Sequence, residues 1–447
     1  MTPRIEFTQP DWDLLEAHLL DNDLEQGAFC LAEPVVREGG LRLLVREVLP
    51  VPRAHLLAQT GAYLETDPLF FAPILKRARL ERYCVVVVHS HPFSRATVAF
   101  SSIDDAGEQS LIPKIQARAP GLPHAALVVG RGAAAARVYP PAQASALPAR
   151  IRVVGWPVRD VSASPVTRRG SGEPRYHRQI LAWGPAIQGR LADARIGLVG
   201  VGGTGSHVMQ QLLHLGVGHL RVIDPDEVDE SNLNRLVGAT AHDAAASVKK
   251  VEVAARMARH LGHGGNLEPV AASVLQREVA LGLAELDLVF GCTDDLETRQ
   301  LLNRMALQYL VPLIDLGVDL EAHMTGQVRT GVGRVTVVLP DGTCLHRAGV
   351  LGGPVASVGP GYVQGAADPA PAVVSFNGLV ASLAVSVALA ILGAFPMPDR
   401  PRQLIYRLTA GRVMQEATSG VCPECQPITG VGDSRPLPWD WPHAKAL

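Results

Sequence analysis

Two sets of residues in this 447-residue chain have the types and spacing to do chemistry. In the first, His89 and His91 flank Ser90 at the end of an apolar run, Pro92 follows, Ser101 and Asp104 come after a short gap, and Glu25 stands far upstream. Two imidazoles and a carboxylate, His89, His91 and Asp104, can hold one zinc ion and leave a coordination position for water, the pattern of a catalytic rather than a structural zinc site. Zinc would make hydroxide available near neutral pH. Glu25 would take the water's proton and pass it to a leaving amine, and Ser101 would donate a hydrogen bond to the oxyanion formed on the attacked carbonyl. The second set is Gly200-Val201-Gly202-Gly203-Thr204-Gly205-Ser206. Gly200, Gly202, Gly203 and Gly205 let backbone N–H groups approach a phosphate at a helix N-terminus. Asp224, roughly twenty residues on, can hold a ribose hydroxyl. On these residues alone, NAD and ATP are both open.

The elements that must position these groups are readable from apolar periodicity. The first part of the chain predicts a helix over 11–24, strands over 27–32 and 41–48, and a helix over 69–82. That helix feeds the strand Cys84-Val85-Val86-Val87-Val88, which is apolar on both faces and so central in a sheet. Residues i and i+2 of a strand share a face, so His89 and His91 can reach one metal, and Pro92 ends the strand. Beyond it the pattern alternates: strand 195–200, helix 206–215, strand 219–224, helix 248–261, strand 286–291. Such alternation predicts a doubly wound, mostly parallel Rossmann-like sheet. Residues 162–174 (SASPVTRRGSGEP) read as a linker, and 348–371, rich in Gly, Pro and Ala, as a crossing loop. The apolar stretch 378–395 is near the length of a membrane span but reads as a buried core helix capped by Asn377. The fold class is therefore α/β, with domains at 1–161 and 175–430, the linker between them, and a tail at 431–447.

The combination HxH, a nine-residue gap that opens with Pro92, and SxxD after a buried strand resembles the JAMM metallopeptidase family, over roughly the first third of the chain. The resemblance implies an α+β domain with a central sheet and hydrolysis of peptide or isopeptide bonds after the C-terminus of a ubiquitin-like protein. The string SSID allows two registers, Ser101/Asp104 and Ser102/Asp105; the family pattern favours the first. Glu25 takes the place of the family's glutamate, with Glu16 and Glu33 as substitutes.

The stretch from Asp224 to Arg235 (DPDEVDESNLNR) resembles the DxDxVxxSNLxRQ signature of ThiF/MoeB-like adenylyltransferases and ubiquitin-activating enzymes. Arg175-Tyr176-His177-Arg178-Gln179, Lys250-Val251 and Cys292-Thr293-Asp294 match further motifs in family order, so the resemblance covers most of 175–425. It implies adenylation of a carboxylate with Mg-ATP: Arg235 and Lys250 stabilise the phosphates, Asn232 contacts phosphate or metal, Asp294 holds Mg²⁺, and Arg178 reaches the nucleotide of a neighbouring subunit in a homodimer. Lysine is otherwise scarce, at Lys76, Lys114, Lys249, Lys250 and Lys445 only, so a lysine pair here is not background composition. Family members often bind a structural zinc through two CxxC pairs. Cys422 and Cys425 form one, but the other is reduced to Cys344, with His346 nearby and Arg347 in place of the second thiol. No cysteine lies between 348 and 376, so the crossing loop offers no thiol for a thioester. Asp295 stands where the family has Asn.

Composition limits the alternatives. A 47% hydrophobic, 19% charged chain of this length is globular and long enough for two or three domains. A net charge of -2 with scattered basic residues gives no nucleic-acid footprint. Six sparse cysteines and an acidic start without an apolar core lead to the expectation of a cytoplasmic protein with no signal peptide and no membrane span. The combined expectation is a bacterial-type fusion. Its zinc (iso)peptidase would process or remove a ubiquitin-like β-grasp protein, and its adenylyltransferase would activate that protein's C-terminus for a conjugating-enzyme partner. Two other readings stand beside it: activation of a sulfur-carrier protein for sulfur transfer, and a non-catalytic scaffold that binds the ubiquitin-like protein.

Overall fold

The computed structural model describes residues 2–437 apart from 96, 144, 163–172, 264–265, 324–325, 341, 343, 352–370, 417–421 and 436. The expected linker and crossing loop therefore lie almost wholly outside the described residues. Two compact units result. The first takes in the described chain up to 162, Gln308–Leu310 and the segment from Ile428; the second holds Glu173 to Leu307 and Val311 to Pro427.

In the first unit, strands β1 (Arg4–Thr8), β2 (Gly27–Arg37), β3 (Gly40–Pro50), β4 (Leu56–Gln59), β5 (Leu64–Thr66), β6 (Cys84–His91), β7 (His124–Gly130), β8 (Ala134–Tyr139), β9 (Leu147–Val154) and β10 (Arg159–Asp160) alternate with helices α1 (Gln9–Leu19), α2 (Pro68–Glu81) and α3 (Ser102–Arg118). Apart from the small β4–β5 hairpin they form one mixed sheet in the order β1-β3-β2-β6-β7-β8-β9-β10, and a parallel β1–β9 pairing closes it on itself. β6 lies between β2 and β7, as a strand apolar on both faces should. Its residues alternate. Cys84, Val86 and Val88 face Trp12, Leu15 and Leu19 of α1. Val85 faces Ile74 and Leu75 of α2 and Ile112 and Ile115 of α3. Each such Leu, Ile or Phe contributes about 1.5–3 kcal/mol by leaving water. His89 and His91 continue the second of these rows.

In the second unit, helices α4 (His177–Asp193), α5 (Gly203–Leu215), α6 (Ala241–Ala245), α7 (Lys250–His260), α8 (Arg277–Leu281), α9 (Leu296–Gln308) and α10 (Val374–Ile391) accompany strands β11 (Arg195–Val199), β12 (His219–Ile223), β13 (Leu267–Val270), β14 (Leu288–Gly291), β15 (Leu313–Ala322), β16 (Val328–Val338), β17 (Gln403–Arg407) and β18 (Arg412–Glu416). The sheet order is β13-β12-β11-β14-β15-β16-β17-β18. The first five strands are parallel; β16 to β18 extend them antiparallel. The order reverses between β11 and β14, where a doubly wound sheet opens a crevice at its carboxyl edge.

Several boundaries differ from expectation for identifiable reasons. The first helix stops at Leu19 rather than 24, because the polar run after it turns, with the Asn22 side chain accepting from Leu24 N at 2.8 Å. Asn377 does not cap α10. The helix begins at Val374 after Val373, and Asn377 lies buried in its first turn. α10 is long and apolar enough to cross a membrane, and its buried face, including Val380, Ala384 and Ile391, packs on α5, β15 and β16. The expected tail from 431 is not wholly loose. Gly432 O accepts from Gln308 Nε2 at 2.6 Å, and Asp433 accepts from Tyr309 Oη at 2.8 Å and pairs with Arg37.

Gly432 (φ +48°) lies against Val35 and Glu33 of β2. Glu33 is 7% exposed, and its Oε2 has no hydrogen bond. Burial, only partly offset by Ser434 and Arg46, pushes its carboxyl up to about 7. A carboxyl raised on folding stabilises fully below its unfolded pKa, and that contribution is lost as pH rises through the folded value. Glu33→Gln should therefore match the wild-type melting temperature near pH 4.5 and exceed it by a few degrees at pH 8. Equal melting curves at both pH values would show that Glu33 is solvated.

Candidate functional site

In the first unit, the structure brings His89, His91, Asp104 and Glu25 together. β6 carries the two imidazoles on one face, and the first turn of α3 delivers Asp104 opposite them. His89 Nε2 stands 3.0 Å from Asp104 Oδ1, and His91 Nε2 stands 3.4 Å from Oδ2. One ligand atom from each of His89, His91 and Asp104 lies within 4.8 Å of the others. His89 Nε2 is buried and lacks the alignment of a hydrogen bond, which suits a nitrogen with its lone pair turned to a cation. Burial raises the Asp104 carboxyl, but the neighbouring imidazoles of His89 and His91 outweigh it and hold Asp104 well below the usual carboxylate range. The hydrogen bond to Asp104 raises His91 in turn, against burial. Two nitrogens and one ionised oxygen form a donor set that fits a divalent metal.

Glu25 is held by the β4–β5 hairpin: its N–H donates to Thr60 O at 2.8 Å, and its C=O accepts from Gln59 Nε2 at 2.9 Å. Its Oε1 lies 3.7 Å from His91 Nε2, and burial raises its pKa against the pull of His89 and His91. Ser101 caps α3. Its Oγ accepts from Asp104 N at 3.2 Å, while Asp104 Oδ2 accepts from Ser101 N at 2.6 Å. The alternative register is occupied differently, since Asp105 pairs with Arg137 at 2.7 Å. Glu33 is engaged at the 431–434 segment rather than at the histidines.

In the second unit, the glycine loop turns from the end of β11 into α5 at the reversal of strand order. Gly200 has φ +88°, and a Cβ there would meet Cys292 O at 2.6 Å. A Cβ on Gly205 would meet Gly200 O at 2.0 Å, and one on Gly203 would meet Asn377 Nδ2 at 2.3 Å. Gly202 caps α5 and has open space around it. Asp224 Oδ2 accepts from Val201 N at 2.7 Å and Oδ1 from Asp226 N at 2.9 Å, so the expected ribose ligand also pins the loop. Burial raises its pKa, against the charge of Lys250.

Lys250 begins α7 and donates to Asp226 Oδ2 at 2.7 Å, with its side chain 12% exposed. It is not a solvated helix lysine. Asp226, which the sequence reading passed over, is its partner; the signal was its position two residues after Asp224. Arg235 Nη1 donates to Ser231 O at 2.6 Å, and its stem covers Gly203. Asn232 Oδ1 accepts from Asp229 N at 3.3 Å in a capping box, so the structure uses that oxygen locally. Asp294 is exposed beyond the end of β14. Asp295 accepts from Thr298 N at 2.6 Å at the start of α9, a helix-capping position that Asn or Asp fills equally well. Arg178 is exposed on the first turn of α4.

Residues 176–425 match the ThiF family, which is more than half of the chain. The chain belongs to the ThiF family. Among this ThiF protein's relatives is the SAMP-activating enzyme E1 of Haloferax volcanii, 36% identical over 174 residues, which are 38% of this chain and 60% of that one. The molybdopterin-synthase adenylyltransferase of Escherichia coli is 37% identical over 155 residues, 34% of this chain and 61% of that one. The sulfur carrier protein adenylyltransferase of Thermus thermophilus is 34% identical over 142 residues, 31% of this chain and 52% of that one. The ThiF chain thus spans between about half and two thirds of the length of these relatives.

A third group lies in the ThiF unit. The Sγ atoms of Cys344, Cys422 and Cys425 all lie within 4.8 Å of one another. Contact with Cys425 and the N–H of Arg347 pull the Cys344 thiol down, against burial. Asn303 Nδ2 approaches Cys425 Sγ at 3.7 Å. Converging, N–H-supported thiols fit a soft metal. His346 is not the fourth member: its Nδ1 pairs with Glu424 at 3.3 Å.

The glycine geometry yields a direct test. Gly205→Ala should lower the melting temperature by several degrees, since its Cβ would overlap the Gly200 carbonyl. Gly202→Ala, with nothing within 4 Å, should fold within about 1 kcal/mol of wild type. Equal stability of the two variants in chemical denaturation would remove the close backbone approach as the reason for the motif.

Proposed function

We propose that the second unit activates the C-terminal carboxylate of a small β-grasp protein, of the ubiquitin-like or sulfur-carrier kind, by adenylation with ATP. The observation that carries this reading is the convergence of the glycine loop, Asp224, Arg235 and Lys250 at the carboxyl edge of β11 and β14. The carboxylate oxygen attacks the α-phosphorus, the bond to the bridging oxygen breaks, and pyrophosphate leaves; no proton need move. Loop N–H groups and the α5 N-terminus receive the phosphates. Lys250 and Arg235 offset the charge that crowds at phosphorus. Asp294 would hold Mg²⁺, which would supply positive charge for the leaving pyrophosphate.

The names of the relatives favour a sulfur-carrier route over conjugation to protein, since two of them name molybdopterin synthase and a sulfur carrier. No cysteine lies between 348 and 376, and burial pushes the Cys292 thiol well above its ordinary value, so the acyl group is handed on without a thioester on either. A homodimer in which Arg178 reaches the neighbour's nucleotide, a cytoplasmic setting, and a sulfur donor or conjugating enzyme as acceptor complete the reading. ATP–pyrophosphate exchange tests it. Exchange that depends on a Gly-terminated β-grasp protein should fall at least about a hundredfold in Lys250→Ala. No exchange with any such protein would overturn activation.

The His89, His91, Asp104 and Glu25 cluster favours a second activity, hydrolysis of an amide bond next to the C-terminus of the same small protein. Zinc held by His89, His91 and Asp104 would supply a Lewis acid for water and carbonyl. Glu25 would carry the proton from water to the leaving amine, and the Ser101 hydroxyl, which uses only its oxygen in the helix cap, would donate to the carbonyl oxygen. The purified protein should carry about two zinc equivalents, one lost in His89→Ala and the other in Cys425→Ala. Glu25→Ala should keep both and lose cleavage of a C-terminally extended β-grasp precursor. Retained cleavage in Glu25→Ala would assign the proton to another group.

A further inference from the structure

Two helix N-termini converge beside the glycine loop, and neither has a side-chain cap or an acidic residue in its first turn. One belongs to α5, beginning at Gly203. The other belongs to α10, whose first turn carries Asn377. Asn377 is 3% exposed, and its amide has no hydrogen-bond partner among the described residues. An enclosed amide with no protein partner is free to donate to a ligand. Its Nδ2 occupies the space where a side chain on Gly203 would begin, 2.3 Å from that ideal Cβ. Arg235 Cδ and Cγ stand 3.1 and 3.2 Å from the same point. One spot thus gathers a helix N-terminus, a second helix's first turn, an arginine stem and an idle N–H donor. The helix N-terminus and the N–H donor suit negative charge, and the arginine stem walls the spot.

We propose that Asn377 is a nucleotide-binding residue that donates through Nδ2 to a phosphate oxygen seated at the N-terminus of α5. The identity of that anion rests on the adenylation reading. The proposal explains why a buried amide stands in the first turn of a mostly apolar helix and why Gly203 has no side chain. A neutral amide also suits this place, since it binds phosphate without adding a charge that must be desolvated in the free protein.

Isothermal titration of the full chain with Mg-ATP and, separately, with adenosine tests this. Asn377→Leu, similar in volume and apolar, should weaken Mg-ATP about tenfold or more and leave adenosine within about twofold, with an unchanged or higher melting temperature. Asn377→Asp, which sets a carboxylate against the phosphate, should weaken Mg-ATP about a hundredfold. Unchanged ATP affinity in both variants would overturn the assignment. So would an equal loss for ATP and adenosine, which would mark Asn377 as a packing residue. ATP binding that depends on Asn377 without pyrophosphate exchange would defeat carboxylate activation while leaving the phosphate contact in place. Absence of ATP binding in the wild type would overturn both.

Discussion

The turn from β11 into α5 works only because two backbone segments nearly touch. Gly205 stands where any side chain would strike the carbonyl of Gly200, and Gly200 itself turns with φ +88° under the Cys292 carbonyl at the end of β14. This close passage joins three parts of the second unit. It places the α5 N-terminus at the reversal of strand order, draws the Cys292–Asp295 segment over the loop, and lets Asp224 reach Val201 N from the next strand. The remaining residues of the site are arranged around that knot. Asp226 leads away from Asp224 to Lys250, and Arg235 and Asn377 close over Gly203.

The first unit meets the same problem, holding charged groups in a fixed place, by a different device. Asp104 belongs to the capping box of α3, so the position of its carboxylate is set by the helix start rather than by free rotation of a loop side chain. β6 contributes a rigid two-residue spacing for the imidazoles, and the ladders to β2 and β7 on either side fix its register. Asp105 and Glu108 of α3 both bind Arg137 of β8, which ties the helix start to the sheet. Ligand geometry in this unit is thus a property of secondary structure.

What could be read in the sequence was local. The five-residue run before His89 is apolar on both faces, and that places β6 inside a sheet. The glycines, Asp224 and Lys250 keep family spacing, and they gather at one edge. What could not be read depended on contacts between distant segments. The β1–β9 pairing joins Arg4 to Arg150, with no periodicity to announce it. The return of 428–434 to β2 depends on Gly432 fitting beside Val35 and on Tyr309 supplying a hydroxyl from a different segment. Asn377 was misplaced because an Asn before an apolar run is ordinarily a helix cap. Only the packing of α10 on α5 shows that its amide is inside. His346, two residues from Cys344, pairs through Nδ1 with Glu424, a preference that nothing in the spacing reveals.

On the adenylation reading, the state of the charges bears on how a nucleotide would enter. Lys250 is held by Asp226 at 2.7 Å, and Arg235 is held by the Ser231 carbonyl. Neither cation waits in solvent, so neither must be ordered when phosphate arrives, and the side-chain entropy of each has been lost in the folding of the unit. A triphosphate must, however, compete with Asp226 for Lys250. A half-buried ion pair gives up little free energy when one carboxylate oxygen is exchanged for a phosphate oxygen, because the lysine is never left unpaired in low dielectric. A divalent cation arriving with the phosphates would supply the charge to offset the freed carboxylate of Asp226. The carboxylates of Asp224 and Asp226 beside Lys250 would therefore make a poor site for a bare anion. It becomes a good one when the anion brings its own metal, and that arithmetic of charge distinguishes a metal-nucleotide pocket from a plain phosphate cradle.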